Sequence, residues 1–289
     1  MKTRELVEKV RARWVRLKKK LRYTVLFILN PRANTTPYKK GSDSLALRHD
    51  LQLRTGIEAE PVWVDLSDYT HFVELAGYQH RLGPSYYQNY FGKKTLEHYL
   101  TFKFLAFRPN DVLVDVGSES SPFPGIVEDL IGCTVYRQDL SYPHGIFGKR
   151  IGGNAADLPL DDDSVSKMTL HCAFEHFEGD SDTKLIHEAA RVLSVGGILC
   201  IVPLYLSRVH INQVSPTEDL TGLVLDTNAQ VIYKPFWPRF ERYYDICTLQ
   251  ARVLEESRQF IVRLYHVENS DLIDTTGAVK FMILFKKVM

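Results

Sequence analysis

The chain has 289 residues, of which 45% are hydrophobic, 25% charged and 11% aromatic. These values are ordinary for a globular protein, and they exclude wholesale disorder and collagen-like or low-complexity chains. Lys and Arg total 36 against 35 Asp and Glu, a net charge of +1, so the overall charge gives no reason to expect a nucleic-acid partner.

The first 22 residues are strongly basic. They hold ten Lys or Arg and two Glu, a net charge of +8, which leaves −7 for the rest of the chain. Apolar residues recur among these charges, as in an amphipathic helix, at Val7, Val10, Trp14, Val15, Leu17 and Leu21. We expect residues 1–22 either to contact anionic lipid at the periphery of a membrane or to form an ordinary solvated terminal helix.

No segment approaches the ~20 apolar residues of a transmembrane helix. Residues 24–29 are too short even for a signal-peptide core, and their basic flank lacks a cleavage site. The four cysteines, Cys133, Cys172, Cys200 and Cys247, are far apart, which fits neither a disulfide framework nor a zinc site. We therefore expect a metal-independent protein of the reducing cytoplasm.

Residues 23–108 form an extension without a regular alternation of elements. Prolines and a glycine at 30–41 predict a loop, and helices are expected after Ser42, after Ser67 and over 95–107. Residues 78–92 are crowded with aromatic side chains. We expect a helical N-terminal extension, and the patterns assign it no role.

The character of the chain changes at residue 109. Apolar runs at 112–116, 134–136, 165–170 and 197–203 alternate with helical patterns at 122–131 and 182–193. Apolar runs separated by helices are typical of buried parallel strands in an α/β protein. Two further runs, 260–267 and 279–285, predict an antiparallel pair at the sheet edge. The α/β domain is thus expected to span 109–289, with 204–257 as an insertion.

Ligands of open α/β sheets bind beyond the carboxyl ends of the strands, so the residues after each run are the candidates. The first run is followed by a turn with Asp115 and Gly117 that can present backbone N–H groups at a helix N-terminus. Asp139 follows the second run, 22 residues after Gly117, an offset at which a carboxylate can accept both hydroxyl hydrogen bonds of a ribose. Nicotinamide and adenosylmethionine sites share these signals.

A third segment separates the two cofactors. Residues 154–159 read Asn-Ala-Ala-Asp-Leu-Pro before the strand that ends at His171, and residues 188–197 read Glu-Ala-Ala-Arg-Val-Leu-Ser-Val-Gly-Gly. Over roughly residues 110–204 the chain resembles the type 11 group of class I S-adenosylmethionine-dependent methyltransferases. The resemblance implies S-adenosylmethionine as cofactor. It also implies a Rossmann-like α/β class I methyltransferase fold, with a mostly parallel sheet and an antiparallel C-terminal pair.

The resemblance also implies a role for each matching position. Carried over by position, the cofactor-binding residues are Asp115, Gly117, Ser118 and Glu119 beneath the methionine part, Asp139 and Leu140 at the ribose, Asn154 and Ala155 at the adenine, and His171, beside Cys172, near the sulfonium. The family usually has further glycines where this chain has Glu119 and Ser121. The Glu119 carboxylate either pairs with the α-ammonium group of the cofactor or faces water.

Methyl transfer to a hydroxyl needs in-line alignment and removal of the acceptor proton. Four residues near the predicted sheet edge are candidate catalytic groups, although each also has a purely structural interpretation: His171, Glu175, His176 and His210. Aromatic residues of the insertion form either an acceptor wall or part of the core: Tyr233, Phe236, Trp237, Tyr243 and Tyr244.

Residues 121–124, 136–139 and 174–177 resemble a bacterial subgroup associated with cell-surface polysaccharide loci. We therefore predict an enzyme that O-methylates a saccharide, a sugar nucleotide or a lipid-linked glycan, with a small-molecule or glycan acceptor and no nucleic-acid partner. A non-catalytic scaffold in a surface-polymer assembly is the alternative that the altered glycine turn favours. A nicotinamide-dependent oxidoreductase is a weaker alternative, because the second and third glycines of its fingerprint are absent.

Overall fold

The computed structural model describes Trp14, Lys18, Leu21, residues 43–81 and residues 89–289. Trp14, Lys18 and Leu21 are helical and exposed. The rest of the amphipathic helix predicted for residues 1–22, the loop predicted for 30–41 and residues 82–88 of the aromatic segment lie outside the described residues. None of the helices in the described ranges is both long and apolar enough to cross a bilayer.

The strands of the described residues form a large and a small sheet. In chain order they are β1 (Ala59–Val62), β2 (Val112–Val116), β3 (Thr134–Asp139), β4 (Gly145–Phe147), β5 (Arg150–Gly152), β6 (Val165–His171), β7 (Leu193–Val202), β8 (Ile211–Val214), β9 (Gln230–Tyr233), β10 (Phe240–Tyr243), β11 (Phe260–Val267) and β12 (Phe281–Lys287). The large sheet has the order β1-β11-β12-β7-β6-β2-β3-β5-β4. Strands β5, β3, β2, β6 and β7 are parallel neighbours, whereas β12 runs antiparallel to both β7 and β11. The predicted Rossmann-like sheet is confirmed.

The helices cover both faces of the large sheet. They are α1 (Ser44–Thr55), α2 (Leu66–Ala76), α3 (Tyr78–Arg81), α4 (Phe91–Leu105), α5 (Phe123–Ile131), α6 (Ser181–Val192) and α7 (Ile246–Leu249), with a 3₁₀ turn at Phe174–His176, a π-helical turn at Gln250–Leu254 and a second 3₁₀ turn at Ser270–Leu272. Helices α1, α6 and α7 pack in one core cluster, and α2, α4 and α5 in a second. The parallel strands are therefore buried on both sides, which explains why their sequences read as continuous apolar runs.

Local capping signals set the helix ends. Helix α5 begins one residue later than predicted, with Pro122 as its N-cap, and ends as predicted before Gly132, which has φ +79°. Helix α2 begins earlier than predicted, because the cap is Asp65, whose side chain accepts hydrogen bonds from the backbone N–H groups of Ser67 and Asp68.

Two expectations about the sheet edge need correction. The antiparallel pair β11–β12 does not lie at the edge, because β1 pairs parallel with β11, with Ala59 opposite Leu264. The N-terminal extension is therefore not purely helical but also contributes an edge strand. Strand β1 was missed because it is only four residues long and contains Glu60 and Pro61, and edge strands tolerate a proline that an inner strand does not.

The insertion carries the small sheet, in which β8 pairs antiparallel with β10 and parallel with β9. Tyr243 and Tyr244 are each 1% exposed, so these two aromatic residues belong to the core and not to an acceptor wall. Arg242, fully buried, joins the small sheet to the start of α6 through a 3.0 Å ion pair with Asp182. The insertion is thus anchored directly beside the carboxyl edge of the large sheet.

Candidate active site

A cavity of about 500 Å³ opens at the carboxyl ends of β2, β3 and β6. Its volume is in the range of small-molecule sites, ~300–1,000 Å³. All nine residues predicted to bind the cofactor line it: Asp115, Gly117, Ser118, Glu119, Asp139, Leu140, Asn154, Ala155 and His171. These residues meet because parallel strands end at one edge, so that short segments far apart in sequence converge there.

The turn after β2 requires glycine at its centre. Gly117 has φ +67°, and a Cβ atom there would lie 2.7 Å from the Cβ of Ala173, too close for any side chain. Two residues later Glu119 also has a positive φ, +30°, at a position where the sequence lacks the expected second glycine. The turn therefore keeps the required shape, with local backbone strain at Glu119.

Gln138 connects this turn to the neighbouring loop, and sequence analysis missed it. Its side chain is 2% exposed. The amide nitrogen donates to the carbonyl oxygen of Gly153 at 2.6 Å, and the amide oxygen accepts from the backbone N–H of Gly117 at 3.4 Å. Its position directly before Asp139 was the available signal, since a strand residue next to a ligand contact commonly supports it.

Asp139 braces the same turn. Its Oδ2 accepts from the backbone N–H of Glu119 at 3.0 Å and its Oδ1 from the N–H of Ser141 at 2.8 Å. Each carboxylate oxygen has a second lone pair, so a ribose can still be bound. The carboxylate therefore orders the turn as well as facing the cavity.

Asn154 and Leu140 occupy different parts of the cavity wall. Asn154 Oδ1 accepts from the backbone N–H of Ala156 at 3.0 Å, which closes an Asx-type turn and leaves one lone pair for an adenine amino group. Leu140 is 77% exposed and lies at the mouth.

The residues present fit the cofactor that the sequence implies. Ser118 is 2% exposed, and its Oγ has no hydrogen-bond partner within the described residues although it lines the cavity. A buried hydroxyl without a partner is unfavourable, so a polar ligand that satisfies it is expected. With the glycine turn, Asp139 and Asn154, this hydroxyl completes a set suited to an amino acid, a ribose and an adenine.

His171 forms the floor of the cavity, and its contacts argue against a catalytic proton transfer. Its Nδ1 lies 3.2 Å from Asp115 Oδ1, and its Nε2 lies 2.9 Å from Thr101 Oγ1. Asp115 Oδ1 also accepts from Thr169 Oγ1 at 2.7 Å. Both ring nitrogens of His171 already have hydrogen-bond partners, so neither is available to take a proton from an acceptor. His171 therefore holds the floor of the cavity in place.

Sequence analysis also missed a buried ion pair below the floor of the cavity. Its residues lie on α4, outside the segments that follow the parallel strands. Lys94 lines the cavity and pairs with Glu97 at 2.9 Å. Burial alone would raise the pKa of Glu97, but the ammonium groups of Lys94 and Lys93 lower it below its usual value. Cys172 donates its thiol to Glu97 Oε1 at 3.1 Å, and burial, then the Glu97 charge, raise the pKa of Cys172 to about 12. The Cys172 sulfur is therefore a neutral thiol and not a nucleophile.

Glu175 and His176 come together on the opposite wall. His176 lines the cavity, and its Nδ1 donates to the carbonyl oxygen of Phe240 at 2.7 Å. Its Nε2 lies 3.8 Å from Glu175 Oε1. Glu175 is 3% exposed and sits behind the imidazole. These two predicted residues are therefore adjacent, one at the cavity surface and one beneath it.

His210 lies elsewhere. It precedes β8 in the insertion, does not line the cavity, and pairs through Nε2 with Asp226 Oδ2 at 2.9 Å. Burial works to raise the pKa of Asp226, but hydrogen bonds from His210, Arg242 and Asn212 outweigh it and lower that pKa below its usual value. His210 therefore belongs to a structural network. The sequence placed it near the cavity because no local pattern of residues predicts the path of the chain through the insertion. Tyr233, Phe236 and Trp237 also lie outside the cavity lining.

Comparison with known proteins agrees with this geometry. Residues 116–201, fewer than half of the chain, match a family model described as a methyltransferase domain. No curated protein sequence matches the chain.

Three solved structures illustrate the similarity at low identity. A candidate methyltransferase from Bacillus halodurans is 20% identical over 38% of this chain and 52% of its own, with a TM-score of 0.33, so the chain spans about half the length of that protein. A SAM-dependent methyltransferase from Methanosarcina mazei is 15% identical over 65% of this chain and 97% of its own (TM-score 0.41). The 1,6-didemethyltoxoflavin-N1-methyltransferase of Burkholderia thailandensis, with bound S-adenosylhomocysteine, is 13% identical over 88% and 93% (TM-score 0.43).

The family match covers β2 to β7, the strands whose carboxyl ends frame the cavity. The antiparallel β12 between β7 and β11 completes the strand order expected of the class I fold. The match of residues 116–201 to a methyltransferase domain, the strand order and the cavity lining all agree with S-adenosylmethionine as the cofactor.

Proposed function

We propose that this chain transfers a methyl group from S-adenosylmethionine to a hydroxyl of a saccharide, a sugar nucleotide or a lipid-linked glycan. The observation that carries the choice of acceptor is a set of polar side chains that line the cavity in addition to the cofactor residues. They are Lys94, His176, Glu178 and Ser181, and apolar Phe177 and Pro238 also line the cavity. Hydrogen-bonding side chains beside apolar faces suit a hydroxyl-rich sugar ring. The resemblance to a polysaccharide-associated subgroup points to the same acceptor class.

The residues of the chain divide the work between binding and activation. Gly117, Ser118, Asp139 and Asn154 hold the cofactor, which when bound supplies an electrophilic methyl group on a sulfonium. His171 keeps the floor in place through Asp115 and Thr101. We assign activation of the acceptor hydroxyl to Glu175 and His176, because the His176 ring lines the cavity next to the buried Glu175 carboxylate, whereas both ring nitrogens of His171 already have partners.

Calorimetric titration of the full chain with S-adenosylmethionine and with S-adenosylhomocysteine tests whether the chain binds the cofactor. We expect binding that Asp139→Ala weakens at least tenfold, because the variant loses the ribose acceptor and the brace on the Glu119 N–H. Asp161→Ala is the matched control, since Asp161 is exposed and outside the cavity. Unaltered binding in Asp139→Ala would remove the ribose assignment.

Turnover with tritiated methyl donor and a panel of saccharide, sugar-nucleotide and lipid-linked acceptors tests the reaction. Methylation of any of them supports the proposal. The alternative of a non-catalytic scaffold rests on Glu119, whose positive φ strains the cofactor turn at a position where the family usually has glycine. Cofactor binding without turnover on every acceptor would favour that scaffold. A shift in nicotinamide fluorescence on mixing, without S-adenosylmethionine binding, would favour the oxidoreductase.

We also propose that the basic N-terminal segment brings the protein to the cytoplasmic face of a membrane. Residues 1–22 carry a net charge of +8, and Trp14 and Leu21 are 60% and 66% exposed. Charge and exposed apolar groups together favour contact with anionic lipid. Sedimentation with anionic liposomes should decrease when residues 1–22 are removed, and equal sedimentation of both proteins would contradict this part of the proposal.

A further inference from the structure

A cluster of potential metal ligands lies in the wall between the cavity and the small sheet. Glu175, His176 and Glu241 each present one ligand atom, and these atoms lie within 4.8 Å of one another. Glu175 and His176 come from the turn after β6, and Glu241 comes from β10 of the insertion. We propose that these three side chains bind a divalent first-row transition metal ion such as Zn²⁺ or Mn²⁺. The proposal replaces the sequence-based expectation of a metal-independent enzyme.

The first argument is an unsatisfied carboxylate. Glu175 is 3% exposed, and its Oε2 has no hydrogen-bond partner within the described residues. A buried carboxylate oxygen without a partner is costly, because it has lost water and gained nothing in return. A cation between the three side chains would satisfy this group directly.

The second argument is the orientation of the imidazole. His176 donates its Nδ1 proton to the carbonyl oxygen of Phe240 at 2.7 Å, so Nε2 carries the lone pair. Histidines that bind metals almost always donate their other ring N–H to a carboxylate or a backbone carbonyl in this way. Nε2 lies 3.8 Å from Glu175 Oε1. Two ligands of a tetrahedral zinc ion are about 3.3 Å apart, so a small contraction would place both on one ion.

The third argument is the support of the second carboxylate. Glu241 is 3% exposed, and its Oε2 accepts from Gln213 Nε2 at 2.6 Å and from the Tyr243 hydroxyl at 2.8 Å. Gln213 and Tyr243 are themselves buried. Carboxylates that bind metals are typically held by such hydrogen bonds, which fix the direction of the coordinating oxygen.

The ligand types and their position suggest a use for the ion. One imidazole nitrogen with two carboxylate oxygens suits Zn²⁺ or Mn²⁺, and three protein ligands leave a coordination position open. His176 lines the cavity, so an acceptor oxygen could take that position and lose its proton more easily. This use rests on the proposed function, whereas binding of the ion does not.

Calorimetric titration of the EDTA-treated, dialysed full chain with ZnCl₂ and with MnCl₂ tests the site without cofactor or acceptor. We expect one ion per chain, and we expect Glu175→Gln and Glu241→Gln to weaken binding at least tenfold. His187→Gln is the matched control, because His187 contacts the Glu256 carboxylate at 2.7 Å on the exposed surface. Unchanged far-UV circular dichroism and S-adenosylmethionine affinity would show that the variants are folded.

A second variant and a spectrum keep the test independent of folding defects. Gln213→Met removes a hydrogen bond to Glu241 but no ligand, and we expect it to weaken metal binding about tenfold. Co²⁺ bound at the site should give visible absorption that His176→Ala shifts or abolishes. Absence of stoichiometric binding with both metals, or equal loss in Glu175→Gln and His187→Gln, would overturn the proposal. Metal binding without methyl transfer would leave the site intact and reject only the proposed function.

Discussion

The buried side chain of Gln138 donates a hydrogen bond of 2.6 Å to the carbonyl oxygen of Gly153. Its amide oxygen accepts from the Gly117 N–H at 3.4 Å. One amide thus ties the turn after β2 to the loop before β6, and residues of both segments line the cavity. The cofactor cavity therefore depends on a residue that lies behind both of its loops.

Gln138→Met should separate these two loops. Methionine has a similar length but no amide, so the Gly117 N–H and the Gly153 carbonyl both lose their partner. We expect the free energy of unfolding to fall by about 1–3 kcal/mol and the affinity for S-adenosylmethionine to fall about tenfold. Urea unfolding and calorimetric titration measure the two effects. Gln250→Met, at an exposed contact with Glu255, is the control and should change neither.

Gly117→Ala should abolish cofactor binding. The new Cβ would lie 2.7 Å from the Cβ of Ala173, in addition to the backbone strain of a positive φ. Gly132→Ala is the matched control, because Gly132 has φ +79° with no atom within 4 Å of an added Cβ. We expect backbone strain alone to destabilise the control by about 1–2 kcal/mol, and Gly117→Ala to be destabilised more. Only Gly117→Ala should lose cofactor binding. Equal melting temperatures and affinities in the two variants would contradict the steric argument.

Arg242→Met should destabilise the domain strongly. Arg242 is fully buried and binds Asp182 at 3.0 Å and Asp226 at 2.8 Å. Its guanidinium also donates to the carbonyl oxygen of Phe177 at 2.8 Å, next to His176. Removing one partner of a buried ion pair leaves the other charge uncompensated, so we expect a loss of about 3–5 kcal/mol in urea unfolding. Exposed Arg258→Met should stay within about 0.5 kcal/mol of the wild type, and a similar value for Arg242→Met would refute the network.

Stability should fall as the pH decreases below 6.5, and His98 should contribute to the fall. Burial, then repulsion from His171 and Lys94, lower the pKa of His98 well below 6.5. The unfolded chain therefore takes up a proton at a pH where the folded chain does not. A single such histidine contributes up to about 1.4 kcal/mol per pH unit.

His98→Gln should flatten this pH dependence, because glutamine can still bond the Tyr78 hydroxyl but does not titrate. Urea unfolding at pH 7.5, 6.5 and 5.5 measures the slope. His266→Gln should act in the same direction, since burial also lowers the pKa of His266. A slope in His98→Gln as steep as in the wild type would contradict the prediction.

Most of the cofactor edge could be predicted without the structure. Each parallel strand is buried on both faces, so it reads as an apolar run, and the chain after each run carries the contact residues. Asp115, Gly117 and Asp139 were predicted in this way and Asn154 through the family resemblance, and all four line the cavity. Gln138 was missed because its role depends on two loops that meet only in the folded chain.

The catalytic candidates were predicted less well. His171, His176 and His210 are the same residue type near predicted strand ends, and local sequence cannot distinguish their surroundings. In the structure, His171 has both ring nitrogens occupied, His176 lies on the cavity wall, and His210 belongs to the small sheet. The difference comes from the partners that distant segments supply.

The order of apolar runs, turns and helices in the sequence was enough to indicate the sheet and its ligand-binding edge, because both follow from local periodicity and strand direction. The cofactor class came instead from the resemblance of residues 110–204 to a methyltransferase family. The position of β1 beside β11, and the approach of Glu241 to Glu175, arise only from the folded chain. Glu241 lies 66 residues after Glu175, in an insertion with its own small sheet. Contacts of that range depend on how two separately formed layers pack, and no local pattern of residues encodes the packing.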